Sequence, residues 1–362
     1  MESFRKPRSI WQIYGQDAHD MTVRLLTASE AIRFVPSGGG IALKPNLVLS
    51  SRPENGAVTH PGVLSGCVEY FREHGAKDVC VIEGSWVGDD TSRAMRAAGY
   101  DKVCAKYGVP FYDLKKDKVR TVRTAIGDMK ICVKALDAGL LVDLPVLKGH
   151  CQTRMTCALK NLKGCIPDVE KRRFHSLGLT KPIAALGAAL RPGLTIVDSI
   201  CGDLCFEEGG SPIETNRMFL GADPVQIDAY GRSLMGLSSA DVPYVELAEE
   251  YGAGSAQWSE TDLISLNEPS DAAGYPRPSG TVARLTRNVR DKDACSACYA
   301  SLVRALYVSG RGGNRTIYIG QGWRGQPLDG LGIGACCRGA TACVQGCPPT
   351  ADAIAKALGC AR

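Results

Sequence analysis

The feature that most constrains the fold is the alternation of short apolar runs with helical segments. An apolar run at 41–43 is followed by a helical pattern at 61–74 and by a second apolar run at 79–82. Pro61 stands where the first turn of a helix tolerates proline, and Gly75 stands where helices commonly end. Strand, helix and strand in this order predict a βαβ unit, because parallel neighbours need a long crossover.

The same alternation continues along the chain. Further predicted strands lie at 111–113, 139–145 and 194–198, and further predicted helices lie at 91–98, 181–190, 224–235 and 242–251. Such repetition predicts an α/β fold with an open, mainly parallel sheet and helices on both faces. We assign residues 1–256 to this core domain and expect it to carry a ligand pocket.

A change in composition predicts a second, smaller domain. Residues 257–280 are rich in Ser, Glu, Pro, Asp and Gly, which is typical of a linker. Beyond the linker, the pattern predicts helices at 297–307 and 351–358 and a strand at 316–319. Residues 281–362 are therefore predicted to form a cysteine-rich C-terminal α/β subdomain that binds an iron-sulfur cluster.

Composition also excludes several classes of protein. With 43 basic and 38 acidic side chains the formal charge is +5, which is too small and dispersed to predict a nucleic-acid partner. Neither a membrane span of roughly 20 apolar residues nor a signal or transit peptide is evident, so the cytoplasm is the expected location. Sixteen cysteines in such a chain do not fit a secreted disulfide framework, and their sensitivity to oxidation favours an anaerobic source.

The cysteines are concentrated near the C-terminus. Six of the sixteen lie between residues 295 and 347, and they are Cys295, Cys298, Cys336, Cys337, Cys343 and Cys347. A C-x-x-C pair lets two thiolates reach one metal centre, and a cubane needs four thiolates. The predicted ligands of a [4Fe–4S] cluster, each in or beside a predicted turn, are Cys295, Cys298, Cys336 and Cys347. Cys337 or Cys343 could replace Cys336, and a zinc site of four thiolates permits the same spacing.

Polar side chains follow the predicted strands of the core domain. They lie at or just beyond carboxyl ends, where ligands bind in open α/β sheets, and they are Lys44, Asn46, His60, Glu83, Lys148 and His150. The segment from His150 to His175 adds Lys160, Asn161 and Lys163. Because lysine and arginine hold phosphate and carboxylate groups, this density of cations predicts a small anionic ligand. The alternative is a solvated helix face, on which Lys160 and Lys163 are three residues apart.

We assign roles within this predicted pocket as follows. The candidate catalytic residues are His150, Lys160, His175 and Glu83. The candidate ligand- or cofactor-binding residues are Lys44, Asn46, His60, Asn161 and Lys163. Asp223 precedes Pro224 as a helix N-cap would precede the first helical residue.

Several motifs between residues 40 and 240 resemble the family catalogued as domain of unknown function 362. They are Lys44-Pro45-Asn46, Thr59-His60-Pro61, Val81-Ile82-Glu83-Gly84, Lys148-Gly149-His150, the stretch Leu159 to Gly164, and Ala222-Asp223-Pro224 with Asp228. Members of that family often carry iron-sulfur cysteines, so the resemblance implies a fold family and a cluster, but no reaction.

A second resemblance concerns the spacing of His150, Lys160 and His175. It is similar to that of the lactate racemase family, whose members tether a nickel-pincer nucleotide through a lysine. The glycines that precede the lysine in that family are replaced here by residues 156–159. This departure leaves cofactor tethering without a motif to support it.

Together these features favour an iron-sulfur oxidoreductase whose cluster exchanges single electrons with a small anionic substrate. One alternative is an electron-transfer module that serves a redox partner protein. Another is a non-redox enzyme or binding protein with a structural cluster or zinc. The sequence does not indicate the substrate or the oligomeric state.

Overall fold

The chain divides into two units. The structure, a computed structural model, describes residues 8–203, 207–209, 212–269, 281–310 and 315–359. One unit comprises the described residues of Met1–Phe174 and Thr180–Pro278, and the other comprises those of His175–Leu179 and Ser279–Arg362. Residues 270–280 of the predicted linker lie outside the described ranges. Each unit has its own sheet and its own cluster of buried apolar side chains.

An eight-stranded sheet organises the first unit. The strands of this unit are β1 (Ile10–Tyr14), β2 (Ile41–Pro45), β3 (Val79–Glu83), β4 (Phe111–Asp113), β5 (Val119–Thr124), β6 (Gly127–Cys132), β7 (Leu140–Leu144), β8 (Lys148–His150), β9 (Arg154–Thr156), β10 (Leu194–Asp203), β11 (Pro212–Gly221) and β12 (Leu263–Ser265). The sheet has the order β12-β1-β11-β10-β7-β2-β3-β4, and β5–β6 and β8–β9 form separate two-stranded ladders. Because β11 alone runs antiparallel to its neighbours, the prediction of a mainly parallel sheet is confirmed.

The helices of this unit connect the strands. They are α1 (Ala18–Ala28), α2 (Pro61–Glu73), α3 (Thr91–Ala97), α4 (Tyr100–Tyr107), α5 (Val133–Leu136), α6 (Ala158–Asn161), α7 (Asp168–Leu177), α8 (Thr180–Leu190), α9 (Pro224–Leu234) and α10 (Tyr244–Glu250). The last residues of α7 belong to the second unit. Asp223 caps α9 as predicted, since its side chain accepts hydrogen bonds from the backbone of Val225 and Gln226.

Helices cover both faces of the sheet, as predicted. On one face, Leu43 of β2 and Leu220 of β11 share an apolar core with Leu25 of α1. Successive side chains of a strand point to opposite faces, so Phe219 points to the other face. There it contacts Tyr230 of α9 edge to face, with ring centroids 5.1 Å apart.

Part of the predicted linker belongs to this sheet. Leu263–Ser265 forms β12, which pairs in parallel with β1 so that Leu263 lies opposite Ile10. The surrounding Ser, Glu and Asp residues give the segment the composition of a loop, and only two apolar residues mark the strand. Composition alone could not reveal it.

The second unit is a smaller α/β unit. Its strands β13 (Val289–Asp291), β14 (Ile317–Ile319), β15 (Leu328–Ile333) and β16 (Ala340–Val344) form one parallel sheet in chain order, and its helices are α11 (Thr281–Leu285), α12 (Ser296–Ser309) and α13 (Ala351–Ala357). Leu302, Leu306, Ile319, Ile333 and Ile354 lie in its core. The longest described helix, α12, has 14 residues, and none of the described helices combines the length and the apolar character needed to cross a membrane.

Candidate functional site

A buried lysine occupies the carboxyl end of β2. Lys44 has no exposed surface, and its Nζ donates hydrogen bonds to Pro45 O at 2.8 Å, to Glu83 Oε2 at 2.8 Å and to Asn161 Oδ1 at 3.3 Å. These bonds use all three donors of the ammonium group. Burial opposes the charge of Lys44, but the groups around it, Glu83 first and then Cys165 and Asp143, together outweigh burial, and the pKa of Lys44 is raised. A ligand at Lys44 would have to break one of these bonds.

The partners of Lys44 are themselves held in place. Glu83 accepts hydrogen bonds from the backbone N–H groups of Leu47 at 3.0 Å and Gly84 at 2.6 Å. Asn161 donates to Lys44 O at 3.3 Å and to Asp143 Oδ1 at 2.8 Å. We call Lys44, Glu83, Asn161 and Asp143 the Lys44 network.

Asp143 is the incomplete member of this network. Its Oδ2 is buried without a hydrogen-bond partner. Burial raises the pKa of Asp143 well above its usual range, although Lys44 lowers it. The buried position of Asp143 therefore disfavours its charged form.

Gly164 is the last residue of the motif at 159–164, and its surroundings show why this position is glycine. A side chain at Gly164 would clash with Glu83 Oε1 and would lie 2.7 Å from Lys44 Nζ. The absence of a Cβ therefore lets the backbone close over the ion pair. Close approach, rather than an unusual backbone angle, is the reason for glycine here.

A second polar group surrounds the β8–β9 hairpin and α6. Lys148 is buried and donates to Ala57 O and, at 2.9 Å, to Glu207 O. Burial, with a contribution from Lys160, lowers the pKa of Lys148 to about 7. Lys160 and Lys163 are partly buried. We call Lys148, Lys160 and Lys163 the lysine cluster.

Lys160 and Lys163 differ from Lys44 in having no bonded partner. In the described part of the chain, neither ammonium group makes a hydrogen bond or an ion pair. Burial lowers the pKa of Lys160 to about 8, although Glu207 and Cys151 oppose this change. Burial, followed by the neighbouring Lys160, lowers the pKa of Lys163 well below its usual range. An anion placed beside them would relieve the cost of holding these charges together.

His150 lies beside the lysine cluster and belongs to a possible metal-binding group. One possible ligand atom from each of His150, Cys151 and Glu207 lies within 4.8 Å of the other two. Among the described residues, this is the group of His, Cys and acidic side chains that meets this spacing. His150 Nε2 is 3.3 Å from Glu207 Oε1, and Cys151 Sγ donates to the same oxygen at 3.4 Å. By atom type and spacing the three side chains could hold a metal ion.

The hydrogen bonds of His150 limit that possibility. Its Nδ1 accepts the backbone N–H groups of Gln152 and Thr153, both at 3.1 Å. A neutral imidazole with Nδ1 as acceptor carries its proton on Nε2, which is the atom that faces Glu207. Burial, and then the Glu207 carboxylate, raises the pKa of Cys151 well above its usual range. A metal ion would therefore have to displace both protons.

His60 and Asn46, which were also predicted to line the pocket, have structural partners of their own. His60 is the N-cap of α2, where its Nδ1 accepts from Gly62 N at 3.0 Å and its N–H donates to Asp198 Oδ2 at 2.7 Å. Asn46 is buried and its N–H donates to Thr59 Oγ1 at 2.9 Å, which fixes the neighbouring loop. His175 lies in the last turn of α7 and belongs to the second unit, so a shared role with His150 and Lys160 stays a prediction.

Four cysteines of the second unit lie on segments that the sheet brings together. Cys295 is the N-cap of α12 and Cys298 is in its first turn, whereas Cys336 follows β15 in the short turn Ala335–Cys337 and Cys347 follows β16. Backbone bonds at 2.9 Å join Gly334 N to Val344 O and Ala335 N to Gly346 O. A Cβ at Gly334 would lie 3.4 Å from Cys298 Sγ, so α12 begins against this loop.

The other three thiols of this set lie close enough to Cys298 to affect its pKa. A hydrogen bond from Cys298 lowers the pKa of Cys295 below its usual range. The same bond, and then burial, raises the pKa of Cys298, and Cys347 and Cys336 contribute to that rise. Arg324 Nε donates to Cys336 Sγ at 3.4 Å, and its pKa is raised by Cys336 first and also by Cys347. We call Cys295, Cys298, Cys336 and Cys347 the thiol group.

The two nearby cysteines outside the thiol group have other partners. Cys337 Sγ donates to Gly320 O at 3.8 Å, and Cys343 Sγ donates to Gly334 O at 3.6 Å. Cys337 is buried, and burial raises the pKa of both thiols. Their hydrogen bonds to backbone carbonyls make them poorer candidates for ligands than Cys336.

Sequence reasoning missed several residues of these sites. Arg324 lies in the glycine-rich turn that carries Gly322 and Gly325, where a single arginine gives no signal. Glu207 and Asp143 are far from their partners along the chain. Asp143 was nevertheless detectable as a carboxylate within a buried apolar strand.

Known proteins that are similar to this chain include a cyanobacterial relative and a solved structure. The thylakoid-associated protein sll1697 of Synechocystis sp. is 25% identical over 263 residues, which cover 68% of this chain and 80% of that protein. The structure of the lactate racemase apoprotein from Thermoanaerobacterium thermosaccharolyticum is 13% identical and has a TM-score of 0.42. That match covers 62% of this chain and 56% of the racemase, and likeness at this level bears on neither activity nor cofactor.

A family model matches the central part of the first unit. The model is that of a domain of unknown function, DUF362, and it covers residues 41–233, more than half of the chain. These residues include the Lys44 network and Lys160. The chain therefore belongs to the DUF362 family.

Proposed function

We propose that the chain is an iron-sulfur protein in which the thiol group holds a [4Fe–4S] cluster. In this proposal the cluster is redox-active and is coupled to a small anionic ligand at the lysine cluster. The observation that carries the proposal is the arrangement of Cys295, Cys298, Cys336 and Cys347, which come from three segments. Three of them lie close enough to the fourth, Cys298, to raise its pKa. Four thiolates are the ligand set of a cubane cluster, and such a cluster supplies one-electron transfer.

The spacing of the sulfur atoms favours a cage over a single zinc ion. Tetrahedral zinc with bonds of about 2.3 Å would place four sulfur atoms about 3.8 Å apart. No three of the described cysteine sulfur atoms lie within 4.8 Å of one another. A cage that presents a separate iron to each thiolate accommodates the wider spacing.

Residues of the second unit are suited to hold such a group. Four thiolates bring a large negative charge, which Arg324 offsets through its bond to Cys336. Cys295 stands at the N-terminus of α12, where the helix dipole favours a thiolate, and its pKa is lowered by its hydrogen bond with Cys298. The chain therefore provides both the ligands and part of the neutralising charge.

The ligand part of the proposal depends on Lys160 and Lys163. A solvated helix face, which was the alternative, would leave the pKa values of both lysines near that of free lysine. Instead, burial lowers both. Lysines that are partly buried and lack a bonded partner suit a phosphate or carboxylate group, which each would hold as a point charge.

Anaerobic purification tests the cluster directly. We expect about four iron and four acid-labile sulfide per chain, with visible absorption and an electron paramagnetic resonance signal on reduction. Cys298→Ala should abolish the spectrum, whereas the matched control Cys343→Ala should retain it, because Cys343 is bonded to Gly334 O. Zinc in place of iron, or an unchanged spectrum in Cys298→Ala, would contradict the proposal.

Thermal stabilisation tests the anionic ligand. Phosphate, lactate and other small carboxylates would be added to wild type, to Lys160→Gln and to Lys181→Gln, an exposed lysine of α8 that serves as control. We expect the shift in melting temperature to disappear only in Lys160→Gln. Equal shifts in all three would exclude Lys160, and a cluster without any ligand would favour an electron-transfer module.

A further inference from the structure

A large open cleft lies in the first unit beside the start of α2. Its volume is about 720 Å³, and its polar lining includes Arg52, Arg96, Lys102, His60, Ser51 and Glu54. None of the lysine cluster or of the Lys44 network lines it. Sites for small molecules commonly occupy about 300–1,000 Å³, so the cleft has room for a metabolite.

Three cations in this cleft have no acidic partner. Arg52, Arg96 and Lys102 are exposed, and within the ranges that the structure describes they form no ion pair. Arg93 on the same helix as Arg96 is, in contrast, paired with Asp89 at 2.5 Å. The absence of such pairing leaves the three charges available to a ligand.

The charge balance of the cleft indicates the kind of ligand. Among the described lining residues, three cations face one carboxylate, that of Glu54, so the excess is three minus one, or two positive charges. A phosphate monoester carries close to two negative charges at neutral pH. A carboxylate would neutralise only one. Arginine also pairs with phosphate through two parallel hydrogen bonds.

The His60 side chain adds a further hydrogen-bond donor to the cleft, but the backbone N–H groups at the N-terminus of α2 do not. Because His60 Nδ1 accepts from Gly62 N, a neutral His60 carries its proton on Nε2. Pro61 has no N–H, and Val63 N bonds to His60 O at 3.0 Å. The first donors of the helix are thus already used, and side chains would have to hold the anion.

We propose that this cleft binds a small organic phosphate monoester. The phosphate pairs with Arg96 and Lys102, the Arg52 and His60 side chains supply further donors, and the organic part occupies the remaining volume. This inference is independent of the proposed cluster and of the ligand at the lysine cluster. It adds a second anion site to the first unit.

Calorimetric titration with AMP as the probe tests the cleft, with adenosine as the uncharged control. We expect AMP to bind wild type at low ionic strength and adenosine to bind at least tenfold more weakly. Arg96→Gln with Lys102→Gln should weaken AMP binding by about tenfold or more, through loss of two charged hydrogen bonds. The control pair is Lys77→Gln with Lys106→Gln, which removes the same charge from exposed positions outside the cleft.

Three outcomes would overturn the inference. The first is failure of wild type to bind AMP, inorganic phosphate and glycerol 3-phosphate alike, and the second is an equal loss of affinity in both double variants, which would indicate screening by net charge. Loss of AMP binding in Lys160→Gln, with binding retained in the cleft variant, would place the phosphate at the lysine cluster. Unchanged melting temperatures without ligand would show that the exposed substitutions leave folding intact.

Discussion

The Lys44 network and the thiol group differ in how fully their polar side chains are hydrogen-bonded. In the network, every donor of a buried ammonium group is bonded to another part of the first unit. In the thiol group, the side-chain hydrogen bonds of the cysteines join Cys295 to Cys298 and the exposed Arg324 to Cys336. Polar residues that satisfy one another stabilise a fold, whereas clustered ligand atoms without outside partners remain available to bind a group.

The largest expected effect tests whether the Lys44 network stabilises the fold. Lys44→Met keeps the length of the side chain but leaves the buried Glu83 carboxylate without its cation. Removing one partner of a buried ion pair costs about 3–5 kcal/mol. Urea denaturation of the full chain, followed by tryptophan fluorescence, would measure this loss as a lower midpoint.

The double variant Lys44→Met with Glu83→Gln serves as the control. In Glu83→Gln the side chain carries no charge, but its amide oxygen can still accept the hydrogen bond from Leu47 N. We expect part of the lost stability to return, because no uncompensated charge remains. A Lys44→Met variant as stable as wild type would show that the network is dispensable and would leave Lys44 free for a ligand.

The parts of the fold that could be predicted are those whose signal is local. The strands β2, β3 and β7 each begin with a run of three or four apolar residues, as expected for strands buried on both faces. The strand β11 escaped prediction because its first half carries Glu214 and Asn216, and its antiparallel direction depends on distant pairing with β1 and β10.

The same distinction applies to the sites. The C-x-x-C pair and Cys347 before Pro348 are local patterns, whereas Cys336 was selected for its place beside a predicted turn. That these four cysteines bind one cluster stays a prediction. The bond between Lys44 and Asn161 joins residues 117 positions apart, and no local pattern reports it. Sequence therefore indicated which residues were unusual, but it could not tell a saturated network from an open site.

A smaller effect should appear in the pH dependence of stability. Asp228 accepts from Ala158 N at 2.7 Å and from Leu159 N at 3.2 Å, and so holds the start of α6, which carries Lys160 and Asn161. Burial raises the pKa of Asp228 to about 7, despite these hydrogen bonds. Between the unfolded pKa of about 3.9 and this value, the folded state retains a proton that the unfolded state has lost.

Stability should therefore fall as pH rises through this window. From pH 5 to pH 8 we expect Asp228 to account for roughly 2–3 kcal/mol of that fall. Asp228→Asn cannot titrate, so the difference between its pH profile and that of wild type in urea denaturation isolates this contribution. Parallel profiles would mean that the two backbone donors keep Asp228 ionised and that burial does not dominate.

The smallest expected effect concerns the hydrogen bond from Arg324 to the thiol group. If the thiol group holds a cluster, the bond from Arg324 to Cys336 stabilises its more negative, reduced state. Arg324→Gln should make the reduction potential more negative, by on the order of tens of millivolts. Redox titration followed by electron paramagnetic resonance would measure the shift.

Arg338→Gln separates the hydrogen bond from the charge. Arg338 is also exposed, but its Nε donates to Gln345 at 3.2 Å rather than to a member of the thiol group. A shift in Arg324→Gln that exceeds the shift in Arg338→Gln assigns the effect to the bond, and Arg324→Lys should then recover only the part due to charge. Equal shifts would mean that net charge alone sets the effect of the second unit on the reduction potential. The Lys44 network, in which specific hydrogen bonds stabilise the charges, would then differ from the thiol group in this respect as well.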